Sequence, residues 1–446
     1  MSHHKAKAMP STPPLQHLVK RARQLYQERR LAAAVEACLS ILALAPQNTD
    51  ALALRGQIAL DQGDTDKASE HFLAAWHADP GNVQHALDSA FSMISANQFE
   101  AAQAVLQAAV GRHTQCHLAW MMLGQIGEAL GDDQLVQRGF HNAITIAQGQ
   151  RIWCDENSTP ADQLETVLHA VQRLRQIRRA NLYDSYEEIR HRHGSDALKR
   201  VDKALSAYLK EISVAPANVY QRPRFFFFPD LPGGPYHAST LLPWSARLED
   251  AWMDIRNEAV RELANDGRFE SYLRRNSATD IQDHLRSDSG VPSWEAFFFY
   301  RRGERYTEHH LRCPITSQVL DSIDLCKIES EAPEICFSVL KPGTEILPHH
   351  GVTNLRLVLH LPLLVPPNCA LNVFGGGEHH WQEGKTVLFD DTYRHEAWNR
   401  SSQSRVILLM DCWNPYLTLP ERDALQLLLK DIRLTSLANT TMPDQR

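Results

Sequence analysis

A chain of 446 residues, 43% hydrophobic and 22% charged, is long enough for two or three domains of roughly 100 to 200 residues each and lies outside the composition of a disordered polymer. Its formal net charge of −7 supplies no global positive field to gather phosphate backbones or anionic lipid, so no nucleic-acid partner is expected. The start, Met1 to Leu15, lacks an apolar core of the signal-peptide kind, and no later stretch approaches the ~18 consecutive apolar residues of a spanning helix; the expectation is a cytoplasmic chain without a transmembrane segment. The eight cysteines are spread singly with no CxxC pair, which argues against a zinc ribbon or a disulfide framework and for small buried thiols in a reducing compartment.

From the N-terminus, the first element is a repeat. Pro46 and Pro80 are 34 residues apart, as are Ala34 and Ala68, and the same step carries Ala68 to Ala102 and Ala75 to Ala109 and Ala143. The set Gly56, Ala68, Phe72, Ala75, Pro80 has the internal spacing of a tetratricopeptide repeat, and Trp120, Leu123, Gly124, Phe140, Ala143 recur in register. Small residues let the two helices of a hairpin approach, Phe fills the gap between successive hairpins, and Pro ends the second helix. Three to four repeats are expected over 15–148, the middle one weakened where Ala90 and Thr114 replace the usual Gly and Pro.

A charged helical stretch over 159–213, with runs such as VQRLRQIRR, reads as a capping or connecting segment. The sequence APANVYQRPRFFFFPDLPGGPY then excludes a long helix while its four successive phenylalanines demand burial, and a second folded domain is placed over 215–430. After a helix near Ser245 to Asn265, the pattern is of short strands: EAFFFY, EICFSVLK, LRLVLHLPL, ALNVF, TVLFDD and RVILLMDCW. Many short strands with Gly and Pro turns point to a barrel or sandwich. Gly384-Lys385-Thr386 and Gly375-Gly376-Gly377 read as turns, and the pairs His309-His310 and His379-His380 as solvated loops, because neither has a zinc spacing.

Three elements of this β region combine chemically: Pro348-His349-His350-Gly351 at a strand end, the segment FDDTYRHEAW carrying His395, and Arg405, ten residues after His395. Two histidines from separate strands with an arginine one strand onward is the order in which a jelly-roll oxygenase holds iron and its co-substrate. Imidazole nitrogens bind Fe(II) at neutral pH and leave cis positions for a chelating 2-oxo acid and for O2. A guanidinium deeper in the barrel takes the far carboxylate of 2-oxoglutarate in a two-pronged salt bridge. The usual triad places Asp or Glu two positions after the first histidine; here that position is Gly351.

This departure, with the segments PHHGVTNLRLVLHLPL, WQEGKTVLFDDTYRHEAWN and LLMDCWNP, closely resembles the aspartyl/asparaginyl β-hydroxylases, which hold iron with two histidines and leave water where the carboxylate would be. The likeness runs from about Gln221 to the stretch ending WNPYLTLPERDAL, and some members carry tetratricopeptide repeats ahead of the catalytic domain. The resemblance implies an α+β multidomain fold, a tetratricopeptide solenoid followed by a double-stranded β-helix (jelly-roll, cupin-like) oxygenase domain. It makes His349 and His395 the iron ligands, chooses His349 over His350, gives the distal carboxylate of 2-oxoglutarate to Arg405 and Ser338, and gives the carboxylate nearer the metal to His360. Val358 departs from a basic residue found there in some members, and Arg356, on the same face of an ideal strand, could partly replace it. Asp391 either orients a ligand imidazole from outside or caps a turn.

The implied function is Fe(II)- and 2-oxoglutarate-dependent hydroxylation, using O2, of an unactivated carbon, namely the β-carbon of Asp or Asn in a peptide or protein docked on the repeats. Rival readings are a lipid acyl chain or small-molecule substrate, halogenation through the position vacated at Gly351, and a non-catalytic repeat scaffold with a degenerate barrel.

Overall fold

The computed structural model describes residues 15–265, 269–273, 284–287 and 291–438. The chain divides into two compact units, Met1–Arg179 with Leu437–Arg446, and Ala180–Ser436.

The first unit is a run of antiparallel helix hairpins: α1 (Leu15–Gln27), α2 (Leu31–Leu44), α3 (Thr49–Asp61), α4 (Thr65–Ala78), α5 (Val83–Ser95), α6 (Phe99–Arg112), α7 (His117–Leu130) and α8 (Asp133–Gly149). Their starts are written in short polar side chains: Asn48 accepts from the Ala51 amide at 2.9 Å, Asp64 from Lys67 at 3.1 Å, and Asp132 from Leu135 at 3.0 Å. Helices α2 and α4 stop just ahead of Pro46 and Pro80. Despite Ala90 and Thr114, the middle hairpin α5–α6 forms full helices. A Cβ on Gly56 would stand 2.8 Å from the Phe72 ring, and one on Gly124 would stand 2.2 Å from Phe140, so the ring seats on the glycine of its own hairpin. Helix α9 (Leu164–Asp184) follows, and Val167, Ala170, Val171 and Leu174 close the last hairpin's core.

The second unit begins with helices α10 (Glu187–His193) and α11 (Lys199–Tyr208) and ends on α16 (Leu419–Ala438). Between them lie α12 (Ser245–Asp250), α13 (Trp252–Ala264), α14 (Thr307–Arg312), α15 (Pro314–Asp321) and thirteen strands among the described residues. One sheet has the order β1 (Tyr236–His237), β11 (Val387–Phe389), β8 (Arg356–Leu364), β13 (Arg405–Trp413), β6 (Ile335–Leu340), β4 (Trp294–Arg301), β2 (Glu270–Ser271), with β5 (Glu304–Arg305) on β4. The other has the order β10 (Gly377–His379), β9 (Cys369–Val373), β12 (His395–Asn399), β7 (Thr344–His349), β3 (Leu285–Ser287). Every pairing between these named strands is antiparallel.

The central strands are buried on both faces because both faces are covered. Along β8, Leu357, Leu359, Leu361 and Leu363 join the core beneath Ile255 and Ala259 of α13. The alternate positions Arg356, Val358 and His360 turn toward the second sheet. Strand β13 does the same, sending Val406, Leu408 and Met410 into the helix-covered core and Arg405, Ile407, Leu409 and Asp411 to the opposite face. The period of two thus decides which side chains can reach a cavity between the sheets.

Two expectations are corrected. His309 and His310 are buried on α14 rather than solvated: the His309 Nδ1–H donates to the Phe298 carbonyl at 2.6 Å, and the ring stacks on Phe297 with centroids 3.9 Å apart. Of the four phenylalanines, Phe226 and Phe228 are buried but Phe225 is exposed, since alternate residues of an extended segment face opposite ways. All eight cysteines are free, and six are buried. Among the described residues no helix is long and apolar enough to cross a membrane.

Candidate active site

His349 closes β7 and His395 opens β12, and antiparallel pairing sets them directly opposite one another. Their ring centroids lie 4.1 Å apart, tilted by 52°. Each ring is fixed by the carbonyl two residues earlier: Leu347 accepts from His349 Nδ1 at 2.8 Å and Tyr393 from His395 Nδ1 at 2.9 Å. A carbonyl can only accept, so both Nδ1 atoms carry the proton and both Nε2 atoms keep the lone pair a metal needs. Burial lowers both pKa values, that of His395 to about 3 with the neighbouring His349 adding to the effect, so both rings are neutral at pH 7. His350 turns away, its Nδ1 donating to the Thr392 carbonyl at 3.1 Å.

The pair opens into a cavity of about 300 Å³. Ser338, His360, Arg356 and Arg405 all line it, so the structure gathers every expected site residue in one space. Arg405 is 2% exposed, and among the described residues no carboxylate pairs with it. Among the described residues its Nε has no hydrogen-bond partner; its guanidinium stands over the Trp381 ring at 5.2 Å, and burial lowers its pKa to about 10. Among the described residues His360 Nδ1 and Trp381 Nε1, buried in the same wall, are likewise without partners. Buried polar groups are normally satisfied, so a guanidinium, an imidazole and an indole N–H left open around one space describe an anion site. Ser338 accepts from Trp294 Nε1 at 2.8 Å, which leaves its hydroxyl proton free to be donated. Arg356 is already engaged, in an ion pair with the buried Asp411.

At Gly351 the missing side chain leaves room that another residue takes. A Cβ there would fall 2.2 Å from the Asp391 carboxyl carbon, so the Asp391 side chain fills the space a residue at 351 would use. Burial raises its pKa to about 7 against the pull of Arg356, and its Oδ1 has no partner. Among the described residues no group of three or more His, Cys, Asp or Glu side chains is gathered to hold a metal. The donors on offer are two imidazoles, which fit an ion completed by water and a chelating ligand.

A sequence profile described as aspartyl/asparaginyl beta-hydroxylase matches residues 249–415, and two tetratricopeptide-repeat profiles match residues 19–83 and 59–126. The rat "Aspartate beta-hydroxylase domain-containing protein 2" is 32% identical over 250 residues, covering 55% of this chain and 69% of the relative. The chain belongs to the aspartyl/asparaginyl β-hydroxylase family. Other hydroxylase relatives are the human "Aspartyl/asparaginyl beta-hydroxylase", 33% identical over 132 residues (30% of this chain, 17% of the relative), and the "Ornithine lipid ester-linked acyl 2-hydroxylase" of Rhizobium tropici, 31% identical over 183 residues (41% of this chain, 61% of the relative).

For this β-hydroxylase family member, sequence reasoning passed over two site residues. Trp381 sits within the quoted segment WQEGKTVLFDD, but an indole reads as core until its N–H is seen to lack a partner. Trp294, at the head of β4, was invisible as the donor that orients Ser338. Asp391 was singled out by its place four residues before His395, and its contact across to Gly351 needed coordinates.

Proposed function

We propose that this chain is an Fe(II)- and 2-oxoglutarate-dependent dioxygenase whose second unit is a double-stranded β-helix and whose substrate is a peptide or protein, hydroxylated at the β-carbon of an Asp or Asn. What carries the reading is one cavity with two carbonyl-locked neutral imidazoles at one place and a buried, uncompensated guanidinium at another. In this reading His349 and His395 hold the iron, Arg405 and Ser338 take the distal carboxylate of 2-oxoglutarate, and His360 meets the carboxylate nearer the metal. Iron, when bound with 2-oxoglutarate and O2, supplies the oxidising power for attack on an unactivated C–H bond, with CO2 and succinate released. The protein's part is to hold both imidazoles neutral, fix the keto acid through Arg405, and exclude water with Trp381, Phe389 and Ile407. Asp391, whose carboxyl fills the space beside Gly351 in the cavity wall, would orient what binds next to the two imidazoles. The interleaved strand orders, in which β6, β8, β11 and β13 lie in one sheet and β7, β9, β10 and β12 in the other, support the double-stranded β-helix. The repeats suit capture of an extended peptide, and cytoplasmic placement goes with the scattered free thiols.

The test is succinate release by the purified, iron-loaded chain, with products of a cell extract searched for a gain of one oxygen. Wild type is expected to release succinate, and His349→Ala and His395→Ala to release none. Release that persists in both variants would sink the assignment. A lipid acyl substrate is the second reading, favoured by the similarity to the Rhizobium tropici enzyme; a hydroxylated lipid in place of a hydroxylated peptide would establish it.

A further inference from the structure

The segment 219–226 crosses directly over the two loops that deliver the histidines. The Arg222 amide donates to the Thr392 carbonyl at 2.8 Å, Arg224 to Gly351 at 3.1 Å, Phe225 to Val352 at 2.9 Å and Phe226 to Val352 at 3.1 Å, while Arg394 donates to the Tyr220 carbonyl at 2.8 Å. Anchored this way, it turns Gln221, Phe226 and Phe228 inward. It leaves outward an uncommon mixture: Val219 is 72% exposed, Tyr220 42% and Phe225 46%, joined by Val352 of the neighbouring loop at 37%. Arg222, Arg224 and Arg394 are exposed among them, and no acidic residue occurs between Ile212 and Pro229. Arg224 also lines the cavity mouth. Large apolar side chains are expensive to leave in water around a catalytic mouth unless something covers them.

We infer that this rim is a docking face for an anionic lipid surface, which would hold the mouth of the cavity against the membrane interface. Three features choose that occupant. Aliphatic and aromatic side chains interleaved with arginines match the chemistry of an interface, where the apolar groups enter the acyl boundary and the guanidinium groups stay with the headgroup phosphates. The backbone N–H groups of residues 222, 224, 225 and 226 are already spent on the histidine loops, so an extended peptide cannot add here as a strand. The net charge of −7 does not oppose it at contact, because charges beyond about 8 Å are screened at physiological ionic strength. The inference goes beyond the proposed reaction and does not require a lipid substrate, since a peripheral enzyme can act on a membrane-associated protein.

The test is flotation of the full chain with phosphatidylcholine vesicles and with vesicles of equal parts phosphatidylcholine and phosphatidylglycerol. Flotation with the mixed vesicles is expected, absent with pure phosphatidylcholine and weakened by salt. Arg222→Ala should lower it about fivefold, and Val219→Asp should lower it independently. Neither residue belongs to the cavity, so succinate release without substrate should stay unchanged and reports that the variants fold. No flotation of wild type, flotation indifferent to both substitutions, or capture by polyglutamate in place of the vesicles would overturn the inference. Because flotation needs no turnover, loss of the oxygenase reading leaves this result interpretable.

Discussion

Arg405 has been taken out of water without a counter-charge among the described residues, and burial without a partner is the condition that makes a charge costly. Its pKa, brought down to about 10, still leaves it protonated at pH 7, so the protein holds a positive charge whose natural partner is a ligand. Arg405→Ala is expected to raise the 2-oxoglutarate concentration for half-maximal turnover by about 10- to 100-fold, the size of a lost charge-assisted pair. Mn(II) affinity, measured by electron paramagnetic resonance, should stay within about twofold; equal loss of both would contradict a division of labour. Gly351 makes a complementary claim. With Asp391 2.2 Å from where a Cβ would go, Gly351→Ala must push that carboxyl aside, and metal affinity should fall more than in Arg405→Ala while 2-oxoglutarate affinity measured with metal saturated changes little. Asp390, next to Asp391, is 3% exposed and accepts from Thr392 and Gln221. Burial still raises its pKa to about 6. A carboxyl whose folded pKa is raised favours the fold below its ordinary pKa and loses that contribution as pH climbs through about 6. The wild type should therefore lose about 1 kcal/mol, relative to Asp390→Asn, between about pH 5 and about pH 7.5 in urea unfolding, and a constant difference would show that the carboxyl does not titrate there.

At the scale of elements, helix contacts that repeat were legible and contacts made across the fold were not. The 34-residue step was readable because small residues recur at it and two of the hairpins, α3–α4 and α7–α8, set a glycine against a phenylalanine ring. Its tightness can be tested at Gly124, where Phe140 ring atoms 2.2 and 2.4 Å from an added Cβ leave no space for a methyl. Alanine should gain about 1 kcal/mol in helix propensity. The clash should outweigh it, giving a net loss of about 1 to 3 kcal/mol that Phe140→Leu partly restores; simple additivity of the two substitutions would argue that the ring does not meet the glycine. Strands β4, β6, β8, β9, β11 and β13 were likewise visible as apolar runs. Strand β7, TEILPH, was legible only at its His349 end because half of its residues are polar, and α14 hides because His309 and His310 look like surface residues until Phe297 is set beside them. The candidate site was legible where chemistry fixes the residue type, as in His349, His395 and Arg405. The open N–H of Trp381 and the Asp391 carboxyl above Gly351 depend on register between segments far apart in sequence, which no local pattern encodes.

For the whole molecule, the two units have separate cores. The last repeat core takes Val167, Ala170 and Ile177, whereas Leu182 and Tyr186 belong with Phe228, Trp413 and Leu425, so helix α9 contributes its two ends to different hydrophobic clusters. Domains with their own cores unfold as their own cooperative units. Calorimetry of the full chain should accordingly resolve two transitions, and each can be labelled by a perturbation that touches one core alone. Mn(II) with 2-oxoglutarate, at about a hundred times its dissociation constant, should stabilise one transition by about 2.7 kcal/mol and leave the other in place. Gly124→Ala should lower only the transition that the ligands do not move. Should both perturbations shift a single shared transition, the repeats and the β unit would be one cooperative body, and substrate captured on the repeats would be energetically linked to the cavity holding His349, His395 and Arg405.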